Sequence, residues 1–293
     1  MKDLYAGIDI GAQTVKIGRL LQKSCKPKGK KVVSCDGNEY DVIDGIKTED
    51  FESTGKRVSE AILNNFGKPA HLFFASFGPF DYKTFEIIGS PNKKEWKGKS
   101  YRDWAKTMDV KRFGIENDVN AQIYGEAICG SGFGYKSVAG IAIGTGVGGG
   151  IVIDKEIYRG VHDIEPGHMI IYPHGRQCGC GGFGHLEAYI SAGALEQRCN
   201  YSVKQIPQKL PRLWQEVIEN TAIGCANFIA IVNPECFVIC GGLAQETGFV
   251  EAVSKRCEEL LPIFRNTPKS KIVKGALTPY SGVIGAVELS KKL

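Results

Sequence analysis

The sequence contains 293 residues, of which 43% are hydrophobic and 24% are charged. This composition is typical of a globular protein and excludes an intrinsically disordered chain, and the length suits one large or two ordinary domains. The 37 basic and 32 acidic residues leave a net charge of +5. Because the lysines are scattered and form no basic helix or stripe, we expect no nucleic acid partner.

Neither of the two longest apolar stretches predicts a membrane-spanning segment. Clustered glycines interrupt residues 137–153, and Asn233-Pro234-Glu235 interrupts residues 221–244. The first residues do not have the pattern of a secretory signal peptide. We therefore expect a cytoplasmic protein without a membrane partner, in which the ten cysteines are reduced and mostly buried as small hydrophobic residues.

The beginning of the sequence predicts a β-hairpin. Residues 4–10 form an apolar strand, a short polar turn follows, and residues 14–18 alternate as a second strand does. Asp9 and Lys16 place one acidic and one basic side chain near the tip. An ordinary strand turn and a phosphate-binding turn explain this hairpin equally well.

A glycine-rich copy of the same pattern begins at Ala139. Ala139 to Gly144 repeats the frame of Ala6 to Gly11, and five glycines crowd into the segment that ends at Gly150. Glycine weakens strands, so this density indicates that the backbone approaches another group closely. Backbone amides in such turns can bind phosphate oxygens, which favours a phosphate-binding role for this hairpin over a plain turn. Two copies of one hairpin also predict two similar lobes.

Strands and helices alternate through the remaining sequence. This alternation predicts an α/β fold with a largely parallel core. The expected helices cover residues 47–66, 121–129, 191–209, 211–231, 250–261 and 281–287, and the expected strands include 71–74, 236–240 and 272–277. The loop of residues 75–81, which contains Gly78, follows a strand end and is expected to line a site.

Two polar residues, Asn117 and Asp118, stand where a short strand ends and a helix begins. The commoner role of such residues is to cap the helix, and the residues alone favour that role. The alternative is that Asp118 lies in a cleft as a general base. Further along, Gly241 and Gly242 end another apolar strand, where they admit a nucleotide or serve tight packing.

Four residues in one short stretch have the spacing of metal ligands. Cys178 and Cys180 are separated by one residue, His168 lies ten positions before the first and His185 five positions after the second. Two thiolates and two imidazoles suit one tetrahedral zinc ion. The alternative is a hydrogen-bonded histidine loop without a metal.

Two carboxylates, Glu165 and Glu187, lie at either end of this stretch. Ionised carboxylates only accept hydrogen bonds, and the hydroxyls of a sugar donate them. The stretch therefore suits recognition of a polyhydroxylated ligand.

Taken in order, these motifs resemble the ROK family (repressor, open reading frame, sugar kinase) of the actin-like ATPase superfamily. The resemblance covers essentially the whole chain and rests on Asp9-Ile10-Gly11, Glu116-Asn117-Asp118-Val119-Asn120-Ala121, Gly144-Thr145-Gly146-Val147-Gly148-Gly149-Gly150, Glu165-Pro166-Gly167-His168, Cys178-Gly179-Cys180-Gly181 with Glu187, and Gly241-Gly242. Two positions depart from the family pattern. Ala12 stands in the first turn where a second glycine is usual, and His185 stands where the third zinc cysteine falls.

The resemblance implies two actin-like (ribonuclease H-like) lobes around a cleft for ATP and sugar. The first lobe would comprise residues 1–117 with the helix 282–293, and the second residues 118–281 with the zinc loop. The implied activity is ATP-dependent phosphorylation of the 6-hydroxyl of glucose or fructose, with mannose as a side substrate. N-acetylmannosamine or another N-acetylhexosamine is the alternative substrate, and a non-catalytic sugar-sensing regulator is the remoter alternative. The resemblance also implies a homodimer.

A sugar-sensing repressor is the rival from another functional class. Repressors of this family carry an N-terminal helix-turn-helix domain, whereas the first hairpin here starts at Leu4. We therefore expect a kinase.

The resemblance assigns a role to each site residue. Asp118 is the general base that takes the proton of the attacking hydroxyl. The sugar would be held by Asn117, Gly78, Glu165, His168 and Glu187. ATP and magnesium would be held by Asp9, Gly11, Thr14, Lys16, Gly144, Thr145, Gly146, Gly241 and Gly242. Structural zinc would be held by His168, Cys178, Cys180 and His185, with His168 facing the sugar through its other nitrogen.

Overall fold

The computed structural model describes residues 3–21, 26–29, 31–35, 37–89, 93–267 and 269–293. The strands are, in chain order, β1 (Tyr5–Ile10), β2 (Thr14–Leu20), β3 (Lys31–Cys35), β4 (Asn38–Lys47), β5 (His71–Ser76), β6 (Phe80–Asp81), β7 (Glu86–Ile87), β8 (Arg112–Asn117), β9 (Ser137–Ile143), β10 (Val147–Ile153), β11 (Glu156–Ile157), β12 (Cys236–Gly241) and β13 (Lys271–Lys274). The α-helices are α1 (Phe51–Asn65), α2 (Tyr101–Thr107), α3 (Asp118–Cys129), α4 (Glu187–Ile190), α5 (Ala192–Cys199), α6 (Ile206–Lys209), α7 (Pro211–Val232), α8 (Phe249–Leu260) and α9 (Ser281–Ser290). Among the described residues, no helix combines the length and the apolar character needed to cross a lipid bilayer.

Two compact units make up the chain. The first is Met1–Gly130 with Pro279–Leu293, and the second is Ser131–Thr278. The boundary expected from the sequence, between residues 117 and 118, falls at the start of α3. That helix packs against α9 within the first unit, so the compact unit extends to Gly130.

The first unit is built on a six-stranded sheet with the order β3-β4-β2-β1-β5-β8. The predicted N-terminal hairpin is confirmed, because β1 and β2 pair antiparallel. Strands β1, β5 and β8 are parallel, and their register aligns Ile10 with Ser76 and Ser76 with Asn117. The segments that follow these three strands therefore begin at the same edge of the sheet.

The second unit repeats this arrangement on a five-stranded sheet with the order β11-β10-β9-β12-β13. Strands β9 and β10 form the second predicted hairpin, and β9, β12 and β13 are parallel. Ile143 at the end of β9 pairs with Gly241 at the end of β12. The expectation of two similar α/β lobes, made from the repeated hairpin, is confirmed at the level of sheet topology.

The cores of the two units differ in composition. Aromatic rings dominate the first, where Phe51 lies 5.3 Å from Trp96 and Phe74 lies 5.0 Å from Tyr101, measured between ring centroids. Aliphatic side chains of β9, β12 and α7 fill most of the second. Cys225 is fully buried there, as expected for a cysteine used as a small hydrophobic residue.

Several sequence-based boundaries were wrong. The helix expected from residue 47 begins at Phe51, because Lys47 still belongs to β4 and Asp50 caps α1. The last helix extends to Ser290, three residues beyond its expected end.

The helix expected over residues 191–209 breaks after α5, because Asn200 takes a left-handed conformation (φ 56°) that ends the helix. A 3₁₀ turn and the short α6 follow it. The last strand ends at Lys274, three residues before the expected end.

Helices α3 and α9 approach each other closely at two glycines. A Cβ atom at Gly285 would lie 1.9 Å from the carbonyl oxygen of Ala121, and one at Gly125 would lie 2.4 Å from that of Ser281. Both clashes are with backbone atoms, which cannot rotate away. The spacing of these helices therefore depends on the absence of side chains at both positions.

We expect Gly285→Ala to lower the free energy of unfolding of the first unit by about 3 kcal/mol, because the added methyl group forces the two helices apart. The midpoint of chemical unfolding measures this effect. Gly160→Ala is the matched control, since its Cβ would meet only the carbonyl oxygen of His162 at 3.6 Å, an ordinary contact. Equal midpoints for the two variants would contradict the prediction.

Candidate active site

Candidate site residues of the first unit gather at one edge of its sheet. The turn that starts at Gly11 follows β1, the loop with Gly78 follows β5, and Asp118 follows β8. Because the three strands are parallel and in register at their ends, these segments are neighbours. Ligands of open α/β sheets commonly bind at the carboxyl ends of parallel strands.

Asn117 is the residue that caps α3. Its side-chain oxygen accepts hydrogen bonds from the backbone amides of Val119 (2.8 Å) and Asn120 (3.2 Å). The choice of cap, which the sequence left open between two residues, therefore falls on Asn117. Its Nδ2 has no partner among the described residues, so this amide remains able to donate to a ligand.

Asp118 is the first residue of α3 and is half-buried. Its Oδ1 accepts a hydrogen bond from the amide of Val119 at 3.0 Å. The buried hydroxyl of Tyr101 hydrogen-bonds to that of Ser76 at 2.7 Å. Burial raises the pKa of Tyr101, and the negative charge of Asp118 raises it further.

Glu116, directly before these residues, is fully buried. Its Oε1 accepts hydrogen bonds from the amide of Asn117 (3.0 Å), from Nδ2 of Asn120 (3.0 Å) and from the hydroxyl of Tyr82 (3.2 Å). Sequence reasoning gave Glu116 no role of its own. The sequence feature that could have marked Glu116 is an acidic residue placed directly after the apolar residues at the end of a strand.

The β1–β2 turn is fixed by contacts from outside it. Thr48 donates its hydroxyl to the carbonyl of Gly11 (2.8 Å) and its amide to the carbonyl of Gln13 (3.0 Å), while the amide of Gly11 bonds to the carbonyl of Thr14 (3.0 Å). No sequence signal marked Thr48 for this role.

Asp9 and Lys16 face each other across this hairpin, with Oδ2 and Nζ 3.2 Å apart. Asp9 is only 7% exposed. A carboxylate suits magnesium or its bound waters, and an ammonium group suits a phosphate. The two side chains therefore fit a magnesium–nucleotide group.

The turn of the second hairpin, residues 144–146, is exposed. None of its residues has a positive φ angle, so backbone freedom is not what its glycines provide. A Cβ at Gly146 would lie 2.6 Å from Oε2 of Glu187, whereas a Cβ at Gly144 would meet open space. Gly146 thus makes room for a protein carboxylate, and Gly144 leaves room for a ligand. Thr145 holds the turn through its carbonyl, which accepts from the amide of Gly193 at 3.3 Å.

Gly241 and Gly242, at the end of the adjacent strand β12, also have different surroundings. Gly241 has φ 91°, and a Cβ there would lie 2.2 Å from the carbonyl oxygen of Ile143, so tight packing accounts for it. A Cβ at Gly242 would meet nothing within 4 Å. Of the two roles that the sequence left open, packing applies to Gly241, and Gly242 stays a candidate for nucleotide contact.

The four predicted metal ligands lie together in the second unit. Ligand atoms of His168, Cys178, Cys180 and His185 all lie within 4.8 Å of one another. Nδ1 of His168 is 3.8 Å from the sulfur of Cys178, and Nδ1 of His185 is 3.2 Å from the sulfur of Cys180.

The two ring-to-sulfur distances, 3.8 Å and 3.2 Å, are close to those around a tetrahedral zinc ion. Bonds of about 2.3 Å to sulfur and about 2.0 Å to nitrogen place neighbouring ligand atoms about 3.3–3.8 Å apart. Nδ1 of His168 points into the cluster, and its Nε2 has no partner among the described residues. Burial raises the pKa of the Cys178 thiol to about 11, so a bound cation would have to displace its proton.

The two carboxylates near the cluster have different environments. Glu187 accepts a hydrogen bond from the amide of Val147 through Oε2 (2.8 Å), and its Oε1 lies 3.7 Å from the sulfur of Cys178. It therefore joins the segment that carries the four candidate metal ligands, residues 168–185 (the metal loop), to the turn of residues 144–146 (the glycine turn). The side chain of Glu165 is partly exposed, and desolvation by the protein atoms on its other side raises the pKa of its carboxyl group.

The metal loop is also held from behind by α7. Tyr172 donates its hydroxyl to the side chain of Asn220 (2.9 Å), and the guanidinium of Arg176 pairs with Glu216 (3.1 Å). The amide of Arg176 bonds to the hydroxyl of Tyr189 at 2.8 Å. These protein contacts shape the loop in addition to any metal.

The structure thus groups the predicted residues within each unit. The first unit brings together the turn of Gly11, the loop of Gly78 and the junction of Asn117 and Asp118. The second brings together the four metal ligands and Glu187, and its sheet register aligns the glycine turn with Gly242.

Comparisons with known proteins place these features in context. A model of the ROK family matches residues 5–293. Glucokinase of Thermotoga maritima is 27% identical over 321 aligned positions, which span 98% of this chain and 96% of that protein. Fructokinase of Streptococcus mutans is 26% identical over 292 positions, which span 93% and 98% respectively. The crystal structure of a ROK family glucokinase from Streptomyces griseus in complex with glucose and AMPPNP has the same fold, with a TM-score of 0.79 and 23% identity over 99% of this chain and 100% of that one.

Proposed function

This chain belongs to the ROK family, and from that premise we propose that it is an ATP-dependent hexokinase with Asp118 as general base. The observation that carries the proposal is the position of Asp118 in the first turn of α3, at the sheet edge that also holds the β1–β2 turn. Glucokinase and fructokinase relatives match nearly the whole chain, which supports a sugar kinase. The substrate is a hexose, glucose or fructose, phosphorylated at its 6-hydroxyl.

The residues divide the chemistry between them. Asp118 accepts the proton of the attacking hydroxyl, and Asn117 donates its free Nδ2 to a neighbouring hydroxyl. Glu165, Nε2 of His168 and Glu187 bind the other hydroxyls. Glu187 can do so although it already bonds to Val147, because an ionised carboxylate has about four acceptor sites.

Phosphoryl transfer depends mainly on positioning and on neutralising charge. Magnesium, when bound with ATP, supplies positive charge to the phosphate oxygens. Asp9 would orient that ion or its waters, and Lys16 would pair with a phosphate. The backbone of the turns at Gly11 and Gly144 contributes amide donors.

The zinc ion that fits the cluster is structural. Four protein ligands would complete the coordination of a zinc ion and leave no position for water, whereas catalytic zinc keeps one position open. Its contribution is to fix the ring of His168 and the position of Glu187. His185 supplies the ligand that is a cysteine elsewhere in the family.

An ADP-release assay across hexoses tests the proposed function. We expect ATP- and magnesium-dependent turnover with glucose or fructose, slower turnover with mannose, and little with N-acetylmannosamine. If N-acetylmannosamine or another N-acetylhexosamine gives the highest kcat/KM, the substrate assignment is wrong and the kinase assignment stands. Absence of turnover with every sugar, by a folded protein that binds sugar, would instead support a sugar-sensing regulator.

A further inference from the structure

We infer that Glu116 is a positioning residue that joins the segment around Tyr82 to the junction carrying Asp118. This inference rests on the proposed kinase function, which it deepens. Glu116 is fully buried, so its effect on a substrate passes through the residues that it holds.

A single oxygen of Glu116 gathers three donors from different segments. The amide of Asn117 belongs to the end of β8, Nδ2 of Asn120 belongs to the first turn of α3, and the hydroxyl of Tyr82 belongs to the connection between β6 and β7. All three distances lie between 3.0 and 3.2 Å. They are ordinary hydrogen-bond lengths for these donors.

The bonds to Asn117 and Asn120 set the start of α3. Asn117 caps this helix through Oδ1, and Asp118 is its first residue. A shift of the Asn117 backbone therefore moves both the cap and the carboxylate that accepts the proton. Because a misplacement of about 1 Å can lower a rate by about 100-fold, this backbone amide needs a fixed partner.

The bond to Tyr82 brings in the loop that follows β5. Tyr82 lies four residues after Gly78 and directly follows the loop of residues 75–81, which the sequence predicts to line a site. Through Glu116, the position of this segment is coupled to the junction with Asp118. Sugar binding and proton transfer thus share one buried acceptor.

The first test compares Glu116→Leu with Glu116→Gln. Leucine fills a similar volume but accepts no hydrogen bond, so we expect kcat/KM for the hexose to fall about 100-fold. Glutamine keeps an acceptor oxygen, and we expect it to retain at least ten times the kcat/KM of the leucine variant. Equal losses in both variants, with both proteins folded by circular dichroism, would overturn the inference.

The second test removes the Tyr82 hydroxyl and remains decisive if Glu116→Leu does not fold. We expect Tyr82→Phe to raise the hexose KM about tenfold and to change kcat less than twofold, because phenylalanine lacks the hydroxyl that bonds to Glu116. Where Glu116→Leu folds, Tyr82→Phe should add no further effect in that background, because the acceptor is already absent. Tyr135→Phe is the matched control, because Tyr135 is half-buried like Tyr82 and its hydroxyl makes no hydrogen bond among the described residues. Tyr82→Phe that behaves as this control, or that adds its full effect to Glu116→Leu, would overturn the coupling.

The outcome separates this inference from the proposed function. An active wild-type protein with an equally active Glu116→Leu variant overturns only the positioning role. A wild-type protein that phosphorylates no sugar overturns both.

Discussion

Replacing Asp118 by asparagine is expected to lower hexose phosphorylation by about two orders of magnitude or more, while the protein still folds and binds sugar. A positioned general base contributes about 10²–10⁴-fold to a rate. Asparagine cannot accept the proton of the attacking hydroxyl, and the residual rate comes from binding and from neutralisation of the phosphate charge.

The local structure is expected to survive this substitution. The amide oxygen of asparagine can still accept the hydrogen bond that the amide of Val119 now donates to Oδ1 of Asp118. Asn117 keeps the cap of α3. The lost negative charge in the first helical turn lowers the free energy of unfolding by about 0.3–1 kcal/mol. This loss is too small to unfold the protein and does not explain the predicted fall in rate.

Two measurements on Asp118→Asn are needed together. The ADP-release assay gives kcat, and titration calorimetry gives the affinity for the hexose. Asp103→Asn is the matched control, since Asp103 is an exposed acidic residue in the first turn of α2 in the same unit. Turnover within threefold of the wild type in Asp118→Asn would remove Asp118 from the role of base. A parallel loss of sugar affinity and rate would point to a binding role.

The sequence predicted those parts of the fold that depend on local patterns. The frame shared by Ala6–Gly11 and Ala139–Gly144 corresponds to two hairpins, each beside parallel strands of its own sheet. The spacing of Cys178 and Cys180 between two histidines also proved informative, because the ligand atoms of these four residues lie within 4.8 Å of one another.

Contacts between distant segments could not be predicted in this way. Thr48 lies more than 30 positions from the turn that it holds, and Tyr82 lies equally far from Glu116. Both partners are ordinary residue types with no motif around them. Glu187 shows the same limit, because the sequence indicated a sugar ligand but not its bond to Val147 in the glycine turn.

Removing one thiol of the metal loop is the second substitution expected to have a large effect. Purified protein should contain about one zinc ion per chain, and Cys178→Ser should reduce this to less than about 0.1. A serine hydroxyl stays protonated near neutral pH and is a poor zinc ligand, whereas cysteine binds as the thiolate. Elemental analysis after dialysis measures the change directly.

Loss of the ion is also expected to lower stability. The cluster connects His168, at the end of a 3₁₀ turn, with His185, two residues before α4, so a bound zinc ion would close this loop in the folded state only. We expect the thermal midpoint to fall by roughly 5–10 °C in Cys178→Ser. Cys199→Ser is the matched control, because Cys199 is half-buried outside the cluster and its thiol bonds only to backbone carbonyls, which a serine can also do.

His185 decides whether the cluster binds zinc in the proposed way. If His185 is the fourth ligand, His185→Ala should lose zinc as Cys178→Ser does, and His185→Cys should keep it, since a thiolate at this position also completes a tetrahedral shell. Two contacts with α7, Tyr172 with Asn220 and Arg176 with Glu216, should hold part of the loop in the zinc-free variants. We therefore expect these variants to stay folded, with a lowered thermal midpoint. Wild-type protein that is free of zinc yet has the same thermal midpoint after zinc is added would show that hydrogen bonds alone hold this loop.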